Sequence, residues 1–103
     1  MVRQLADRQW ERLMAVMVTF TLKTDSNTYR AMHPQLLPAA ISAGMLFHSA
    51  YEVGNEVAIV DFWPSAEAWS LFSDGPLAEG MQGAGIEAPD DLDVTPVLDA
   101  DSR

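Results

Sequence analysis

Two residues, Gly54-Asn55, sit between apolar runs rich in β-branched and aromatic side chains, Met45 to Val53 and Glu56 to Trp63. Gly-Asn is a hairpin pair whose positive φ angles suit the right-handed twist of the strands on either side. If the loop is tight, Val53 pairs with Glu56 and every later pair follows. Tyr51 faces Ala58, Ser49 faces Val60, Phe47 faces Phe62, and His48 lies directly across from Asp61. A slip of one residue would send every side chain to the other face of the sheet, so this turn governs which groups meet.

The rest of the chain can be read around that hairpin. Met14 to Lys23 alternates, with Met14, Val16, Val18, Phe20 and Leu22 on one face and Ala15, Met17, Thr19 and Thr21 on the other. This is a strand with one strongly apolar face. Asp25-Ser26-Asn27 supplies N-cap chemistry for a helix that carries Tyr29, Met32, Leu36, Leu37, Ala40 and Ile41. Pro34 and Pro38 fall inside it, which predicts a kink or a helix broken in two, and Gly44 is its expected C-terminal cap. After Pro64-Ser65 a second helix carries Ala66, Trp69, Leu71 and Phe72; Asp74-Gly75-Pro76 is expected to break it, with a restart over Leu77 to Met81. Gly83 to Asp91 reads as a loop. Asp93 to Asp99 reads as a last strand, placed at a sheet edge because Pro96 cannot donate to a ladder.

The predicted order is β, α, β-hairpin, α, β. It implies an α+β fold, a ferredoxin-like βαββαβ subunit with an antiparallel sheet and helices on one face. Residues 1–12 read as a polar lead-in, with Trp10 able to pack back, and residues 13–103 as the single domain. The uncovered sheet face would be too apolar for water, whether it carries the Leu46, Ile59, Trp63 row or the Phe47, Val60, Phe62 row. A homodimer through that open face is the physical remedy.

Composition narrows the function. The 103 residues are 49% hydrophobic with no cysteine, so a thiol nucleophile, a thiolate metal site and a disulfide framework are all excluded. The net charge of −9 is concentrated beyond residue 12, since Arg3, Arg8 and Arg12 outweigh Asp7 and Glu11 before it. Such a surface repels phosphate backbones and anionic lipid, so neither nucleic acid nor membrane is an expected partner. The first twelve residues lack the apolar stretch of a signal peptide, and no run approaches the roughly 18 apolar residues of a membrane span. The expected location is the cytoplasm. No P-loop, nucleophile elbow, dinucleotide fingerprint or metal cluster stands out, and no cofactor is expected.

The element order, together with Val60-Asp61-Phe62-Trp63-Pro64-Ser65-Ala66-Glu67-Ala68-Trp69 and Phe72 beyond it, resembles the dimeric α/β-barrel superfamily. More narrowly it is similar to the antibiotic-biosynthesis-monooxygenase-like domains, over residues 14 to 99. The resemblance implies that two ferredoxin-like sheets face each other to form a dimeric α/β barrel, with a pocket between sheet and helices. It also implies activities that include cofactor-free oxygenation of aromatic polyketides or quinols, and haem degradation. Haem-degrading relatives place a histidine ligand after the helix tryptophan and an asparagine on the first strand. Ser70 to Gly85 has no histidine and Met14 to Lys23 no asparagine, which argues against that branch.

His48 opposite Asp61 is therefore the catalytic candidate, an imidazole oriented by a carboxylate as a general base. The same pair would serve equally as a cross-strand hydrogen bond that fixes register. Trp69, Trp63, Thr19, Tyr51 and Phe72 are the candidate binding residues for a small aromatic molecule, although tryptophans at a strand–helix junction also suit a core or dimer interface. Tyr29 has no feature that singles it out. His33, beside Pro34 and without a partner in its local sequence, is expected on the surface. The acids Asp90, Asp91 and Asp93 read as a solvated turn. The alternative to an enzyme is a non-catalytic dimeric binding or interaction module using the same fold.

Overall fold

A computed structural model describes residues 14–98; the lead-in and Trp10 lie outside them. Four strands form one antiparallel sheet: β1 (Val16–Leu22), β2 (Phe47–Val53), β3 (Glu56–Trp63) and β4 (Asp93–Pro96), in the order β2-β3-β1-β4. Helix α1 (Ser26–Ser42) links β1 to β2. Helix α2 (Ala66–Phe72), a π-helical turn (Ser73–Leu77) and helix α3 (Ala78–Ala84) link β3 to β4.

The hairpin register is the one the turn dictates, with Val53 opposite Glu56, Phe47 opposite Phe62 and His48 opposite Asp61. Of the two turn residues only Gly54 takes a positive φ, 60°, and Asn55 does not. That is the pattern of a type II′ turn, in which glycine alone carries the left-handed step, rather than a turn with both residues left-handed. β1 alternates buried and half-buried residues along its whole length. Val16, Val18, Phe20 and Leu22 join Val57, Ile59 and Trp63 in the core beneath the helices, while Met17, Thr19 and Thr21 point the other way. β4 pairs with β1 alone, the edge position that Pro96 requires.

Helix α1 begins at Asp25, whose carboxylate accepts from the Thr28 amide at 2.7 Å. It runs as one helix through both prolines, so of the kink or break expected there the break does not occur. Pro34 and Pro38 are four residues apart and both exposed, so the carbonyls they leave unpaired, those of Arg30 and Pro34, lie on the face turned to water. The helix ends in a Schellman arrangement. The Met45 amide donates to the Ala40 carbonyl and the Gly44 amide to that of Ile41, each at 3.0 Å, with Gly44 at φ 98°.

The second helical run also survives its expected break. Asp74-Gly75-Pro76 falls inside the π-helical turn, whose widened ladder absorbs a proline without ending the helix. Helix α3 then continues past Gly80 and Gly83 and stops at Gly85. The acids of the following loop tie it to β1. Asp91 accepts from the Thr21 amide at 2.9 Å and Asp90 pairs with Lys23 at 3.0 Å. The final strand is shorter than its sequence pattern, ending at Pro96.

The uncovered sheet face carries the Phe47, Val60, Phe62 row with Tyr51 and Val53 beside it. Phe47, Tyr51 and Val53 are each more than half exposed.

Candidate functional site

The register of β2 against β3 brings an imidazole and a carboxylate together under helix α1. Nδ1 of His48 lies 2.6 Å from Oδ1 of Asp61, and Asp61 is the one buried charged side chain among the described residues. Its second oxygen, Oδ2, accepts from the indole Nε1–H of Trp63 at 3.4 Å. A buried carboxylate needs such donors, because leaving water unpaired is costly.

Two further groups reach the pair from α1. Tyr29 and His33 are one helical turn apart and so project from one face. The Tyr29 hydroxyl is 2.5 Å from Nε2 of His48 and 3.2 Å from Nδ1 of His33. The His33 ring also stacks on that of His48, with centroids 4.9 Å apart and planes 13° from parallel. With His48 neutral, one proton arrangement satisfies all three contacts. His48 donates from Nδ1 to Asp61, Tyr29 donates to Nε2 of His48, and His33 donates from Nδ1 to the Tyr29 oxygen.

The electrostatics follow from burial. Tyr29 is pushed up to about 12, mainly by desolvation and then by the Asp61 charge, so its hydroxyl keeps its proton at neutral pH. His33 is pushed below the ordinary histidine range by burial and by the neighbouring His48, with Asp61 pulling the other way. It is a neutral base at pH 7.

These four residues form the polar wall of a cavity of about 40 Å³ between sheet and helices. The rest of the wall is apolar, including Phe20, Met32, Leu36, Met45, Ile59 and Phe72. The space suits a water, whose share of liquid volume is about 30 Å³, but a dry cavity that binds benzene is about 150 Å³. An aromatic ring enters only if the lining moves, and Met32 and Met45 are the unbranched side chains of that wall.

The residues singled out in the sequence are not all gathered here. His48, Asp61 and Phe72 line the cavity. Trp63 is fully buried behind Asp61 and touches the site only through its indole N–H. Trp69 is buried against Phe20, Trp63 and Phe72 and borders a separate surface groove beside α3. Thr19 and Tyr51 lie on the opposite face of the sheet from His48. His33 is not a surface residue but a half-buried member of the site, and Tyr29 is its hinge. The four-residue spacing of Tyr29 and His33 was the available signal. A helix-borne phenol and imidazole on one face, over a sheet carrying a second imidazole, are placed to meet.

No model of a known sequence family matches the chain, and neither does any curated protein sequence. Solved structures do. A structural-genomics protein called YJCS superposes with a TM-score of 0.64 at 16% identity, over 81% of this chain and 98% of its own. A candidate antibiotic biosynthesis monooxygenase from Chloroflexus aurantiacus J-10-fl gives 0.58 at 14% identity, over 85% and 97%. A dimeric ferredoxin-like protein from an uncultured marine organism gives 0.54 at 14%, over 87% and 93%. Identities this low speak to architecture alone: the chain has the ferredoxin-like subunit fold found in antibiotic-biosynthesis-monooxygenase-like proteins.

Proposed function

We propose that this protein is a small cofactor-independent monooxygenase that oxidises an aromatic or quinol-type molecule held between sheet and helices. The observation that supports this reading most is the hydrogen-bonded run from Asp61 through His48 to Tyr29 on the wall of an otherwise apolar cavity. Oxygenation without a cofactor needs two things from a protein: a base that generates the substrate anion, and a dry space where that anion meets dioxygen. His48, oriented by Asp61, receives the proton, and Phe72 with the aliphatic wall holds the ring. For an anthrone-type methylene, one oxygen atom becomes the new carbonyl and the other leaves as water. The substrate supplies all four electrons, so no outside reductant is needed.

The same reading includes a homodimer through the Phe47, Val60, Phe62 face, with Thr19 and Tyr51 between the two sheets. The named relative that is a dimeric ferredoxin-like protein supports it, as does the exposure of Phe47. Light scattering at micromolar concentration should return twice the chain mass, and Phe47→Asp should return the single mass.

The enzymatic reading is tested by oxygen uptake with anthrone and 1-naphthol. His48→Ala should lower turnover at least a hundredfold, and undiminished turnover would remove the base. A non-catalytic binding module is the second reading, favoured by the small cavity and by both ring nitrogens of His48 being engaged. Tight binding of a naphthol with no oxygen consumption would select it.

A further inference from the structure

Both nitrogens of His48 are occupied, Nδ1 by Asp61 and Nε2 by Tyr29, so nothing on that ring is open to a proton arriving from the cavity. His33 differs. Its Nδ1 faces the Tyr29 hydroxyl at 3.2 Å, and its Nε2 has no hydrogen-bond partner among the described residues. No buried side-chain nitrogen or oxygen among those residues lacks a partner, so this Nε2 is within reach of solvent or of a molecule entering the cavity His33 lines. With His48 neutral, the proton arrangement that satisfies Tyr29 and His48 leaves a lone pair on that atom.

We infer that His33 Nε2 is the atom that takes the substrate's proton, and that Tyr29 passes a proton on to His48, beside Asp61. The inference rests on the monooxygenase reading and adds a second catalytic residue to it. In the transfer, the O–H or acidic C–H bond of the substrate breaks and N–H forms at Nε2 of His33. The Nδ1 proton of His33 moves to the Tyr29 oxygen, and the Tyr29 proton moves to Nε2 of His48. His33 and Tyr29 each take one proton and give one, His48 takes one and keeps it, and the substrate is left as its anion. The positive charge comes to rest on His48, 2.6 Å from the Asp61 carboxylate, instead of on His33. The carboxylate explains why it should move: of the two stacked imidazoles, His48 is the one in direct contact with an acid, and a positive charge is favoured beside it.

The groups that face His33 are Tyr29 on its own helix, His48 from β2 and Asp61 from β3. The deciding measurement is a long-range ¹⁵N–¹H spectrum of the histidine rings at pH 7.5, which does not depend on turnover. His33 should carry its proton at Nδ1 and a bare Nε2. Adding 2-naphthol should shift that Nε2 resonance, while naphthalene, which has no hydroxyl, should not. A proton found on Nε2 of His33, a naphthol shift confined to His48, or no shift at all would overturn the inference. With anthrone as substrate, His33→Ala should lower kcat about a hundredfold, and added imidazole should restore a concentration-dependent part of it. His33→Gln should be as slow without unfolding. Full kcat in either variant would also overturn it. Absence of turnover by the unaltered protein defeats the monooxygenase reading alone, and the ring spectra then judge His33 independently.

Discussion

The layer between sheet and helices has two ends that use aromatic rings in opposite ways. Under α2, Trp63 and Trp69 meet edge-on at 5.7 Å, and Phe72 lies 5.0 Å from Trp63. These rings are almost wholly buried and close that end of the layer. Under α1, Tyr29, His33 and His48 stack nearly parallel, and each carries a polar atom bonded to the next. One end is aromatic packing with a single polar contact. The other is a polar chain beside a cavity. The two touch where the Trp63 indole donates to Asp61, so the rigid end holds the acid that anchors the reactive end. Size and position made the tryptophans look like a substrate platform, but what separates the two ends is which rings have polar atoms left to pair.

The largest effect should come from opening the closed end. Trp69→Ala should cost about 3–5 kcal/mol in urea denaturation, a large share of the roughly 5–15 kcal/mol that holds a domain of this kind together. If Trp69 were chiefly a substrate platform, the variant would keep its stability and lose binding instead. The contrast between the two ends would then fail.

Next in size is a change at the junction. Asp61→Asn keeps the shape of the acid and removes its charge. Its carbonyl can accept from only one side, so the new amide group faces either the Trp63 N–H or the donor nitrogen of His48. A buried donor left without an acceptor costs about 1–3 kcal/mol. The expected outcome is a loss of that size, together with altered ring-proton positions at His48 and unchanged packing of Trp69. A variant that moved the tryptophan signals as much as those of histidine would show that the two ends behave as one unit.

How much of this could be read from the chain differs between the ends as well. The His48–Asp61 contact was legible because a two-residue turn and a period of two leave one register, and register is a local matter. The βαββαβ order was legible for the same reason, each element being marked by its own caps and alternation. The prolines misled because their cost depends on which way the helix faces. Pro34 and Pro38 are tolerated on the water side of α1, a fact decided by packing elsewhere. His33 looked isolated although Tyr29 is only one turn away, because the ring that gives the pair its meaning, His48, reaches them only once α1 lies across β2. The destinations of Thr19, Tyr51, Trp63 and Trp69 also needed the whole layer in place.

A smaller effect tests the turn that sets that register. Gly54 sits at φ 60° with no atom within 4 Å of the point a β-carbon would occupy, so alanine there meets strain and no clash. Gly54→Ala should cost about 1 kcal/mol. It should leave the ring spectra of His48 and His33 unchanged, because the sheet pairs on both sides already favour this register. Spectra that changed would mean the turn alone keeps His48 against Asp61.

The least effect near neutral pH is in the pH dependence of stability, and it divides the ends most cleanly. His33 is held below its ordinary value by burial and by His48, so the folded protein binds its proton later than the unfolded chain does. Stability is therefore full above about pH 6.5, where free histidine titrates. It falls as pH drops through that value, and levels off once the folded protein also takes the proton. Tyr29 contributes at the other extreme. With its value raised to about 12, stability is full below about pH 10 and declines from there toward 12, as the unfolded chain ionises first. His33→Gln should flatten the acid slope and Tyr29→Phe the alkaline one, while Trp69→Ala should lower the whole curve without bending either. Should the tryptophan variant change a slope, proton binding would be spread across the layer, and the polar chain would not be the separate unit its geometry describes.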